Sequence, residues 1–522
     1  MKGTTFEAIL LAASLIAAVL SGIRWLRVAQ REHYLAGSVV RFARRWWSLG
    51  PNRVLGAAAV AGLVAAALGV TPAGLVAAAA VACGPFGFGL RGRTARLAWT
   101  RRLKLLAGVA ATIVAVLVGL ASVGGLEVAA AVATLLAVAV PLVVDAALAV
   151  TDPLERRLAG RFVTRASAKL QSIHPTVVAI TGSYGKTSTK GYVTHLLTGS
   201  FSVVPTPASF NNRTGLARAI NENLAPGTEI FVAEMGTYGP GEIAEMCEWV
   251  VPDIAVITAV GPVHLERMGS EQRIARAKAE ILRPATVAVL NVDSQWLIPV
   301  ADAAEAQGKR VWRCSARDRY ADVCVLDRDG RLQVFVAEEH RSEETVALAR
   351  VELPGAPATN VACAVAVALE LGVPPEMIAR RLIDLPVAPH RRQVTTGQTG
   401  ATIIDDTYNS NPAGAIAALG LLARLTTDGN RSIVVTPGMV ELGDRQDAEN
   451  ARFAQEAAHT ATDLVIVGHT NAAGLLAGAR QGGSGADVLR VTTRDRAVAW
   501  VTEQAGPGDV VLYENDLPDH FP

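Results

Sequence analysis

The sequence predicts an α/β protein in which a multi-pass α-helical membrane region precedes two α/β domains. Hydrophobic residues make up 51% of the 522 residues, and the long apolar runs lie in the first 150 residues. From Thr176 onward, short Val/Ile runs alternate with Ala/Leu/Glu-rich helical patterns, which favours parallel sheets covered by helices. A glycine-rich turn follows the first of these predicted strands, where a phosphate-binding loop would lie.

Five apolar runs in residues 1–150 predict about five transmembrane helices. Each run is roughly 17–20 residues long, close to the length that crosses a bilayer core. Periodicity does not distinguish such runs from buried helices, but their repeated length and lack of charge favour membrane spans. The five runs are Phe6–Ile23, Val54–Val70, Pro72–Phe88, Leu105–Val123 and Leu126–Asp145.

Basic residues are concentrated in alternate loops between these runs, and positively charged loops stay on the cytoplasmic side. We therefore predict an external N-terminus and a cytoplasmic chain after about residue 150. The arginines follow the first apolar run rather than precede it, which argues against a cleaved signal peptide. The basic residues are Arg24, Arg27, Arg31, Arg41, Arg44, Arg45 and Arg53, then Arg91, Arg93, Arg96, Arg101, Arg102 and Lys104, then Arg156, Arg157, Arg161, Arg165 and Lys169.

Two features lie near the predicted membrane surface. The segment RFARRWW (Arg41–Trp47) combines arginines with tryptophans, and we expect it to act as an interfacial anchor in contact with membrane lipid. A dedicated lipid-binding site is the alternative. Asp145 falls at the cytoplasmic end of the fifth run, so we expect an interface residue rather than a functional acid inside the membrane.

The chain after the membrane region divides into three predicted parts: a basic linker (151–175), a central domain (176–385) and a C-terminal domain (386–522). About 345 residues are too many for one core of this kind, and Leu385–Arg392 contains prolines and basic residues typical of a break. The predicted strands read TVVAIT, EIFVAEM, DIAVITAV, TVAVLNV, ATIIDD, SIVVTP, DLVIVG and DVVLYE.

Charge and cysteine content exclude two classes of function. Lys and Arg number 49 against 47 Asp and Glu, so no overall positive charge favours a nucleic-acid partner. The five cysteines form no CxxC pair, so neither a disulfide framework nor a zinc ribbon is expected.

The stretch VVAITGSYGKTSTKGYVTHLL (Val177–Leu197) joins a predicted strand to a predicted helix through a glycine turn. In a nucleotide site the glycines let backbone N–H groups face phosphate at the helix N-terminus. Lys186 would reach the β- and γ-phosphates, and Thr187 would hold Mg²⁺. The alternative is a glycine turn that binds no nucleotide. The predicted ATP-binding residues of this loop are Gly182, Ser183, Gly185, Lys186, Thr187 and Ser188.

Further motifs follow the loop in order. They are SFNNRTG (Ser209–Gly215), FVAEMG (Phe231–Gly236), ITAVGPVHLERMGSEQRIARAKAEIL (Ile257–Leu282), VLNVD (Val289–Asp293), LPG (Leu353–Gly355), PHRR (Pro389–Arg392), DDTYNSNP (Asp405–Pro412) and MVELG (Met439–Gly443). Together with the loop, these motifs resemble the Mur ligase family, most closely its D-alanyl-D-alanine-adding (MurF-type) branch. The resemblance covers about residues 176–515, and the short TGxxGKT loop is typical of that family. It implies a P-loop Mur-ligase central domain and a Rossmann-like C-terminal domain.

The resemblance implies an ATP-dependent, ADP-forming amide ligase. A carboxylate becomes an acyl phosphate and an amine then displaces the phosphate, which requires charge neutralisation and alignment. Glu234 and His264 match the family's magnesium ligands beside Thr187. Lys278 matches a lysine that is carbamylated in much of the family, and a carbamate, unlike an ammonium group, can ligate Mg²⁺. The implied catalytic residues are thus Lys186, Glu234, His264 and Lys278, although by themselves the last three are ordinary residues of strands and helices.

The remaining implied contacts involve both domains. Asn291 would lie by the adenine, Arg391 would approach the ATP phosphates, and Asp406 would contact the ribose and help fix domain closure. Because the last two come from the C-terminal part, the site would be complete only when the domains close. The residues implied to contact the substrates are Asn211, Asn212, Tyr408, Asn409 and Asn411.

Three departures from the family concern the substrate. The family's N-terminal domain, which grips the UDP end of a soluble precursor, has no counterpart, and the membrane region stands in its place. The branch's GxHNxxN pattern reads GAPATN (Gly355–Asn360), without the histidine. Its late KGS motif, near the incoming amine, is replaced by YENDLPDHFP (Tyr513–Pro522).

We therefore expect a membrane-attached ligase of cell-wall (peptidoglycan) precursor synthesis at the inner face of the membrane. Its substrates would be a peptide-like carboxylate, lipid-linked or UDP-linked, and an amino acid or dipeptide. Confinement to a surface raises effective concentration, which favours a lipid-linked or membrane-delivered acid. The alternatives are helices that merely localise an enzyme with a soluble substrate, a poly-γ-glutamate-type synthetase, and an inactive Mur-like scaffold.

Overall fold

The computed structural model describes residues 2–68, 70–90, 97–328, 330–338, 344–353, 355–386, 390–408, 410–483, 485–518 and 520–521. The chain divides into two compact units. Unit 1 comprises residues 1–160 with residues 517–522, and unit 2 comprises residues 161–516. Six residues named above lie outside the described residues: Arg91, Arg93, Arg96, Pro389, Asn409 and Pro522.

Unit 1 is built from α-helices. α1 packs against α4 and α6, α3 packs against α4, and α5 packs against α6. Several of these contacts are made by buried alanines, whose small side chains let helices approach closely. The helices are α1 (Lys2–Arg31), α2 (Ser38–Trp47), α3 (Gly50–Ala67), α4 (Ala73–Cys83), α5 (Arg101–Ser122), α6 (Leu126–Val138) and α7 (Val140–Ile173), the last of which continues into unit 2.

The number of helices able to span a membrane is smaller than predicted. Among the described residues, three helices are long and apolar enough: Thr5–Arg31, Gly50–Ala67 and Arg101–Ser122. A fourth span results only if Leu126–Val138 and Val140–Glu155, which meet at 79°, count as one. These candidates are fewer than the about five spans predicted, and the number of spans stays a prediction.

Two of the predicted spans are interrupted for local reasons. The predicted third span forms α4, whose 11 residues extend about 16 Å, half of a bilayer core. Pro72 precedes α4, and Gly84 and Pro85 follow it; proline cannot donate a helical hydrogen bond. The predicted fifth span bends between α6 and α7. Apolar composition alone does not reveal such breaks.

Asp145 caps a helix of unit 1. One carboxylate oxygen accepts hydrogen bonds from the backbone N–H groups of Gly37 (2.9 Å) and Val39 (3.3 Å), and the other accepts from Val40 (2.9 Å). These donors are the N-terminal N–H groups of α2, which carry a partial positive charge. Because Gly37 at the N-cap has no side chain, the acid on α7 supplies the acceptors.

The first group of arginines was predicted to lie in a loop between the first two apolar runs. Part of this group lies in a helix instead. Arg24, Arg27 and Arg31 belong to α1, and Arg24 and Arg27 are buried. Arg24 donates hydrogen bonds to the carbonyl oxygens of Ala82 (2.9 Å) and Phe88 (3.2 Å). At least one of these arginines therefore stabilises the end of α4, and the orientation inferred from the basic residues stays a prediction.

The end of the chain is part of unit 1. Trp46 Nε1 donates to the carbonyl oxygen of His520 (2.8 Å), and His520 Nε2 lies 3.1 Å from Glu32 Oε1 in a buried pair. The segment that replaces the family's late motif is thus divided, with residues 513–516 in unit 2 and residues 517–521 in unit 1.

The predicted linker is helical. Residues 151–173 continue α7 through Pro153. In unit 2 the last part of this helix buries Val163, Ala166 and Leu170 against the central sheet. The predicted linker is therefore not an extended chain. It is a helix whose last part contributes to the core of unit 2.

Unit 2 contains two sheets. The first has nine strands in the order β2-β3-β1-β4-β5-β6-β7-β8-β9; the strands from β2 to β7 are parallel, and β8 and β9 extend the sheet in antiparallel fashion. Its strands are β1 (Thr176–Thr181), β2 (Val203–Pro205), β3 (Ile230–Glu234), β4 (Ile254–Ile257), β5 (Val287–Asn291), β6 (Arg310–Ser315), β7 (Val323–Arg328), β8 (Arg331–Ala337) and β9 (Thr345–Glu352).

Helices cover both faces of this sheet, because the alternating side chains of its parallel strands are apolar on both sides. α8 and α14 pack on one face, and α9, α10 and the end of α7 contribute to the other. The helices are α8 (Lys186–Leu197), α9 (Arg213–Asn223), α10 (Glu242–Cys247), α11 (Leu265–Met268), α12 (Glu271–Ala279), α13 (Ile298–Ala306), α14 (Ala358–Glu370) and α15 (Pro375–Arg381), with 3₁₀ turns at Glu280–Leu282 and Leu382–Asp384.

The second sheet has six strands in the order β10-β11-β15-β12-β13-β14, of which only β10 is antiparallel to its neighbour. The prediction of parallel α/β sheets is confirmed. The strands are β10 (Gln393–Thr396), β11 (Thr402–Asp406), β12 (Ser432–Thr436), β13 (Asp463–Val467), β14 (Asp487–Val491) and β15 (Val510–Glu514). The helices are α16 (Pro412–Leu425), α17 (Gln446–Thr460), α18 (Ala472–Gln481) and α19 (Arg494–Gln504), with a 3₁₀ turn at Gly443–Arg445.

The cap on α2 gives a test of unit 1. Asp145→Ala removes three hydrogen bonds to helix N–H groups, and loss of an N-cap costs about 0.5–2 kcal/mol. We expect a lower melting temperature for the detergent-solubilised chain and an intermediate value for Asp145→Asn, which keeps one acceptor oxygen. Glu127→Ala, on the exposed surface of α6, is the control. Wild-type melting of Asp145→Ala would contradict the capping role.

Candidate active site

The loop after β1 leaves no room for side chains at its two glycines. A Cβ atom at Gly182 would lie 2.0 Å from Thr258 Oγ1, and one at Gly185 would lie 2.3 Å from Asn360 Oδ1. Gly185 also has a φ of +80°, which favours glycine, and directly precedes α8 at Lys186. The loop is therefore a tight turn that leads from a central strand to a helix N-terminus, as a phosphate-binding loop requires.

Hydrogen bonds fasten this loop to the segment after β4. Ser183 N donates to Ala259 O (2.7 Å), and Gly261 N donates to Ser183 Oγ (3.1 Å). The hydroxyl of Thr258 donates to the carbonyl oxygen of Tyr184. The predicted ATP contact Ser183 therefore also serves to hold the loop in shape, which orients the backbone N–H groups before a ligand binds.

Lys186 lies at the first position of α8 and reaches back over the loop. Its Nζ donates to the carbonyl oxygen of Gly182 at 2.7 Å. Burial lowers the pKa of Lys186, and the nearby carboxylate of Glu234 opposes that change. The ammonium group is thus held within the loop that the sequence predicts to cradle phosphate.

Glu234 ends β3 and is almost completely buried, with 1% of its surface exposed. One oxygen accepts from Thr187 Oγ1 at 3.1 Å and lies 3.0 Å from Lys190 Nζ. The other accepts from Asn211 Nδ2 at 3.2 Å. The structure thus brings together three predicted site residues, Thr187, Glu234 and Asn211, and adds Lys190, which the sequence analysis missed.

His264 has a different partner. Its Nδ1 pairs with Glu441 of the MVELG motif, and its ring meets Tyr238 edge-on at 4.9 Å. Leu265 N also donates to Glu441 O at 3.0 Å. His264 therefore joins the segment after β4 to the loop after β12, and its role as a metal ligand stays a prediction.

The donor types at Thr187 and Glu234 fit magnesium. Mg²⁺ is usually held by one or two carboxylates with substrate phosphates and water, and a hydroxyl and a carboxylate lie 3.1 Å apart beside the lysine of the loop. The described residues contain no group of three His, Cys, Asp or Glu side chains able to hold a metal ion. The protein would therefore supply few ligands, and the phosphates would supply others.

Lys278 on α12 is buried, with 3% of its surface exposed. Burial lowers its pKa well below the ordinary value, and the positive charge of Lys186 lowers it further. A neutral amine is the form of lysine that adds CO₂. The carbamate so formed would be attracted by Lys186, whereas an ammonium group is repelled, so the surroundings of Lys278 fit the implied modification.

A cavity of about 1000 Å³ opens beside the loop and is lined by residues of both sheets of unit 2. It is large enough for a nucleotide. Six of the predicted ATP and substrate contacts line it: Gly185, Ser188, Asn291, Arg391, Asp406 and Asn411.

The cavity-lining residues of β5 and β11 are fixed by backbone contacts. Asn291 Nδ2 donates to Thr258 O (2.8 Å), which joins the ends of β5 and β4. Asp406 accepts from Arg392 N (3.2 Å), and Arg391 lies over the ring of Tyr408 at 4.7 Å. Burial raises the pKa of Asp406 to about 6, while Arg392 opposes the rise.

A second carboxyl group lies next to Asp406. Asp406 and Glu514 are register partners at the ends of the neighbouring strands β11 and β15. Ser410 Oγ donates to Glu514 Oε1 at 2.5 Å. Burial raises the pKa of Glu514 well above its ordinary value, and the charge of Asp406 adds to the rise. The segment that departs from the family's late motif thus places the carboxyl group of Glu514 next to Asp406, which lines the cavity.

Three of the asparagines and tyrosines predicted to contact substrate have structural roles in unit 2. Asn212 caps α9 by accepting from Gly215 N (2.9 Å), and Asn411 caps α16 by accepting from Gly414 N (2.9 Å). The hydroxyl of Tyr408 contacts Ser209 Oγ. Their substrate contacts, and the role of Asn409, which lies outside the described residues, stay predictions.

Three residues of the site escaped the sequence analysis. Lys190 follows Lys186 by one helical turn, and that spacing on the loop helix was a usable signal. Asn360 retains the last position of the altered GAPATN motif and touches Gly185. Glu441, quoted only within its motif, lies in the loop after β12, and no local pattern predicts its contact with His264.

Comparisons with known proteins agree with this geometry. The model of the Mur ligase middle domain matches residues 180–368, and the model of the Mur ligase, glutamate ligase domain matches residues 390–513. A UDP-N-acetylmuramoyl-tripeptide–D-alanyl-D-alanine ligase of Mycobacterium bovis is 35% identical over 381 residues, which cover 68% of this chain and 72% of that protein.

The chain belongs to the Mur ligase family. A ligase of the same name from Bacillus subtilis is 29% identical over 354 residues, which cover 67% of this chain and 75% of that protein. The crystal structure of the MurF ligase from Thermotoga maritima in complex with ADP matches with a TM-score of 0.58 and 25% identity over 69% of this chain and 80% of that chain. The predicted Mur-ligase fold, ATP binding and ATP-dependent, ADP-forming amide ligation are confirmed.

The raised pKa of Asp406 predicts how stability depends on pH. Because the folded protein binds this proton more tightly than the unfolded chain, stability falls as pH rises from about 4 to about 6 and stays lower above that. Asp406→Asn removes the buried charge, so its melting temperature should exceed that of the wild type at pH 8 by more than at pH 5. Asp428→Asn, at an exposed site, is the control; an equal difference at both pH values would contradict this.

Proposed function

We propose that the chain is a membrane-attached Mur ligase that joins the carboxylate of a cell-wall peptide precursor to an amino acid or dipeptide amine at the inner face of the membrane. The names of its relatives supply the candidate substrates, a UDP-linked muramoyl tripeptide and D-alanyl-D-alanine. The observation that carries the proposal is the buried cluster around Glu234. It brings together the glycine loop, a lysine, and the hydroxyl and carboxylate oxygens that could ligate Mg²⁺.

The loop and Lys186 would bind the phosphates of ATP. The backbone N–H groups at the start of α8 offer donors to phosphate oxygens, and the loop is already held in position by Thr258 and Ser183. Lys186 Nζ would exchange the Gly182 carbonyl for a phosphate oxygen. Its charge then balances the charge that develops on the transferred phosphoryl group.

Thr187 and Glu234 would hold Mg²⁺, which neutralises phosphate charge during transfer when it is bound. To do so, Thr187 must turn its hydroxyl hydrogen away from Glu234, because the oxygen lone pair has to face the metal ion. Asn211 keeps the second oxygen of Glu234 in place during that change. His264 would contribute from the segment after β4.

The second sheet of unit 2 would complete the site. Arg391 and Asp406 line the same cavity as Gly185. Glu441, in the loop after β12, contacts His264 in the segment after β4. Binding of nucleotide in this cavity would engage residues of both sheets at once. Such an arrangement aligns the acyl phosphate with the amine and limits access of water.

The acid substrate is proposed to come from the membrane. The matched family models begin at residue 180, and unit 1 carries three helices that are apolar and long enough to span a bilayer. A substrate anchored in the same surface meets the active site at high effective concentration, which can replace a domain that grips a soluble carrier.

The central experiment uses the full chain in lipid nanodiscs with ATP, Mg²⁺ and D-alanyl-D-alanine. One arm receives the soluble UDP-linked muramoyl tripeptide and the other its lipid-linked form. We expect turnover mainly with the lipid-linked acid, and loss of at least about 100-fold in Lys186→Ala, since phosphate charge is no longer balanced. Lys309→Ala is the matched control.

Two results would contradict this proposal. Ligation by Lys186→Ala at the wild-type rate would reject the role of the loop. Full turnover of the soluble precursor, with no gain from the lipid-linked form, would reject delivery from the membrane but leave the ligase activity intact.

The carbamate at Lys278 has its own test. After equilibration with ¹³C-bicarbonate at pH 8, the protein should show a ¹³C carbamate resonance, because burial favours the neutral amine. Lys278→Arg should lack that resonance, whereas Lys309→Arg should retain it. Identical spectra for the wild type and Lys278→Arg would contradict carbamylation.

A further inference from the structure

Lys190 has no role in the activity described so far, yet it lies at the centre of the site. Only 5% of its surface is exposed, and its ammonium group lies 3.0 Å from Glu234 Oε2. It also donates to the carbonyl oxygen of Ala208, in the loop that carries Asn211. Lys190 therefore connects α8, the end of β3 and the loop before α9.

Lys186 and Lys190 make different contacts. Lys186 and Lys190 are one helical turn apart on α8, so both face the end of β3. Lys190 Nζ makes the ion pair with Glu234, whereas Lys186 Nζ donates to the carbonyl oxygen of Gly182. Because Lys190 supplies the counterion of Glu234, Lys186 remains available for phosphate.

The buried carboxylate needs such a counterion. A charged carboxylate removed from water is strongly destabilised unless it is paired and hydrogen-bonded. Thr187 and Asn211 give Glu234 two neutral hydrogen bonds, and Lys190 gives it the opposite charge. A divalent cation bound by Glu234 would therefore come within a few ångströms of an existing positive charge.

We propose that Lys190 is a positioning residue that acts as the resident counterion of Glu234 and thereby weakens and regulates the binding of a divalent cation at this carboxylate. The inference rests on the proposed role of Glu234 as a metal ligand. Lys190 holds the ligand in its orientation before the cation binds, and its repulsion lets the cation leave again with the product nucleotide.

Removal of Lys190 has two opposing effects on cation binding. It removes repulsion between an ammonium group and a divalent cation, and it removes one of the contacts that orient Glu234. Thr187 and Asn211 still hold both oxygens of Glu234. The charge effect therefore dominates, and we expect affinity to rise by roughly tenfold or more, since unit charges a few ångströms apart interact by several kcal/mol at an effective dielectric constant near 20.

The test compares the full chain and its Lys190→Met variant in lipid nanodiscs with Mn²⁺ and saturating ADP. Free Mn²⁺ is measured by electron paramagnetic resonance, and melting temperature is measured in EDTA. Lys190→Met should bind Mn²⁺ roughly tenfold more tightly and should melt at a lower temperature in EDTA. Lys169→Met, which removes a lysine that donates to the carbonyl oxygen of Asn221, should change neither value.

The double variant Lys190→Met/Glu234→Gln shows whether the effect passes through Glu234. It should regain most of the lost melting temperature in EDTA and bind Mn²⁺ weakly, because the unpaired charge is gone. If Lys190→Met does not fold, recovery of folding in the double variant supports the proposal, and failure of both variants to fold overturns it.

The outcomes separate this inference from the proposed function. Unchanged Mn²⁺ affinity and melting temperature in Lys190→Met, with normal binding in the wild type, would overturn the counterion role alone. Absence of Mn²⁺ binding in the wild type with ADP would overturn the metal-ligand role of Glu234 and, with it, the inference.

Discussion

The burial of one carboxylate constrains the whole candidate site. Glu234 ends a central strand and is sealed from water, so its charge must be met by protein groups. Lys190 and Thr187 meet it from the loop helix, and Asn211 meets it from the loop before α9. The same contacts place the proposed phosphate loop, a hydroxyl and a carboxylate side by side, which is the arrangement that phosphoryl transfer requires.

The second sheet adds residues to this cluster at the cavity beside the loop. Arg391 and Asp406 line the cavity beside the loop, and the contact between His264 and Glu441 joins the segment after β4 to the loop after β12. ATP held in this cavity would meet residues from both sheets. The family to which the chain belongs forms amide bonds with ATP, and the geometry of unit 2 provides for that chemistry, whereas unit 1 accounts for its proposed place at the membrane.

Local patterns in the sequence predicted the parts of the molecule that depend on near neighbours. The eight Val/Ile runs all form strands, and the loop at Gly182–Lys186 lies between β1 and α8. Strands β6 to β9 were not among the quoted runs; β7 and β8 contain Val and Leu residues, but each of the four strands also carries charged residues. The break at Gly84–Pro85 and the bend between α6 and α7 depend on single residues within apolar runs, so counting apolar length did not reveal them. Contacts between distant segments, such as Glu441 with His264, have no local signal.

The most direct measurement of the central claim follows oxygen from the acid substrate. The full chain in lipid nanodiscs is given ATP, Mg²⁺, the amine and a precursor in which both oxygens of the reacting carboxylate are ¹⁸O. If the carboxylate attacks the γ-phosphoryl group and forms an acyl phosphate, each turnover releases ADP and phosphate that contains one ¹⁸O atom. Release of unlabelled phosphate during amide formation, or of AMP in place of ADP, would contradict the account.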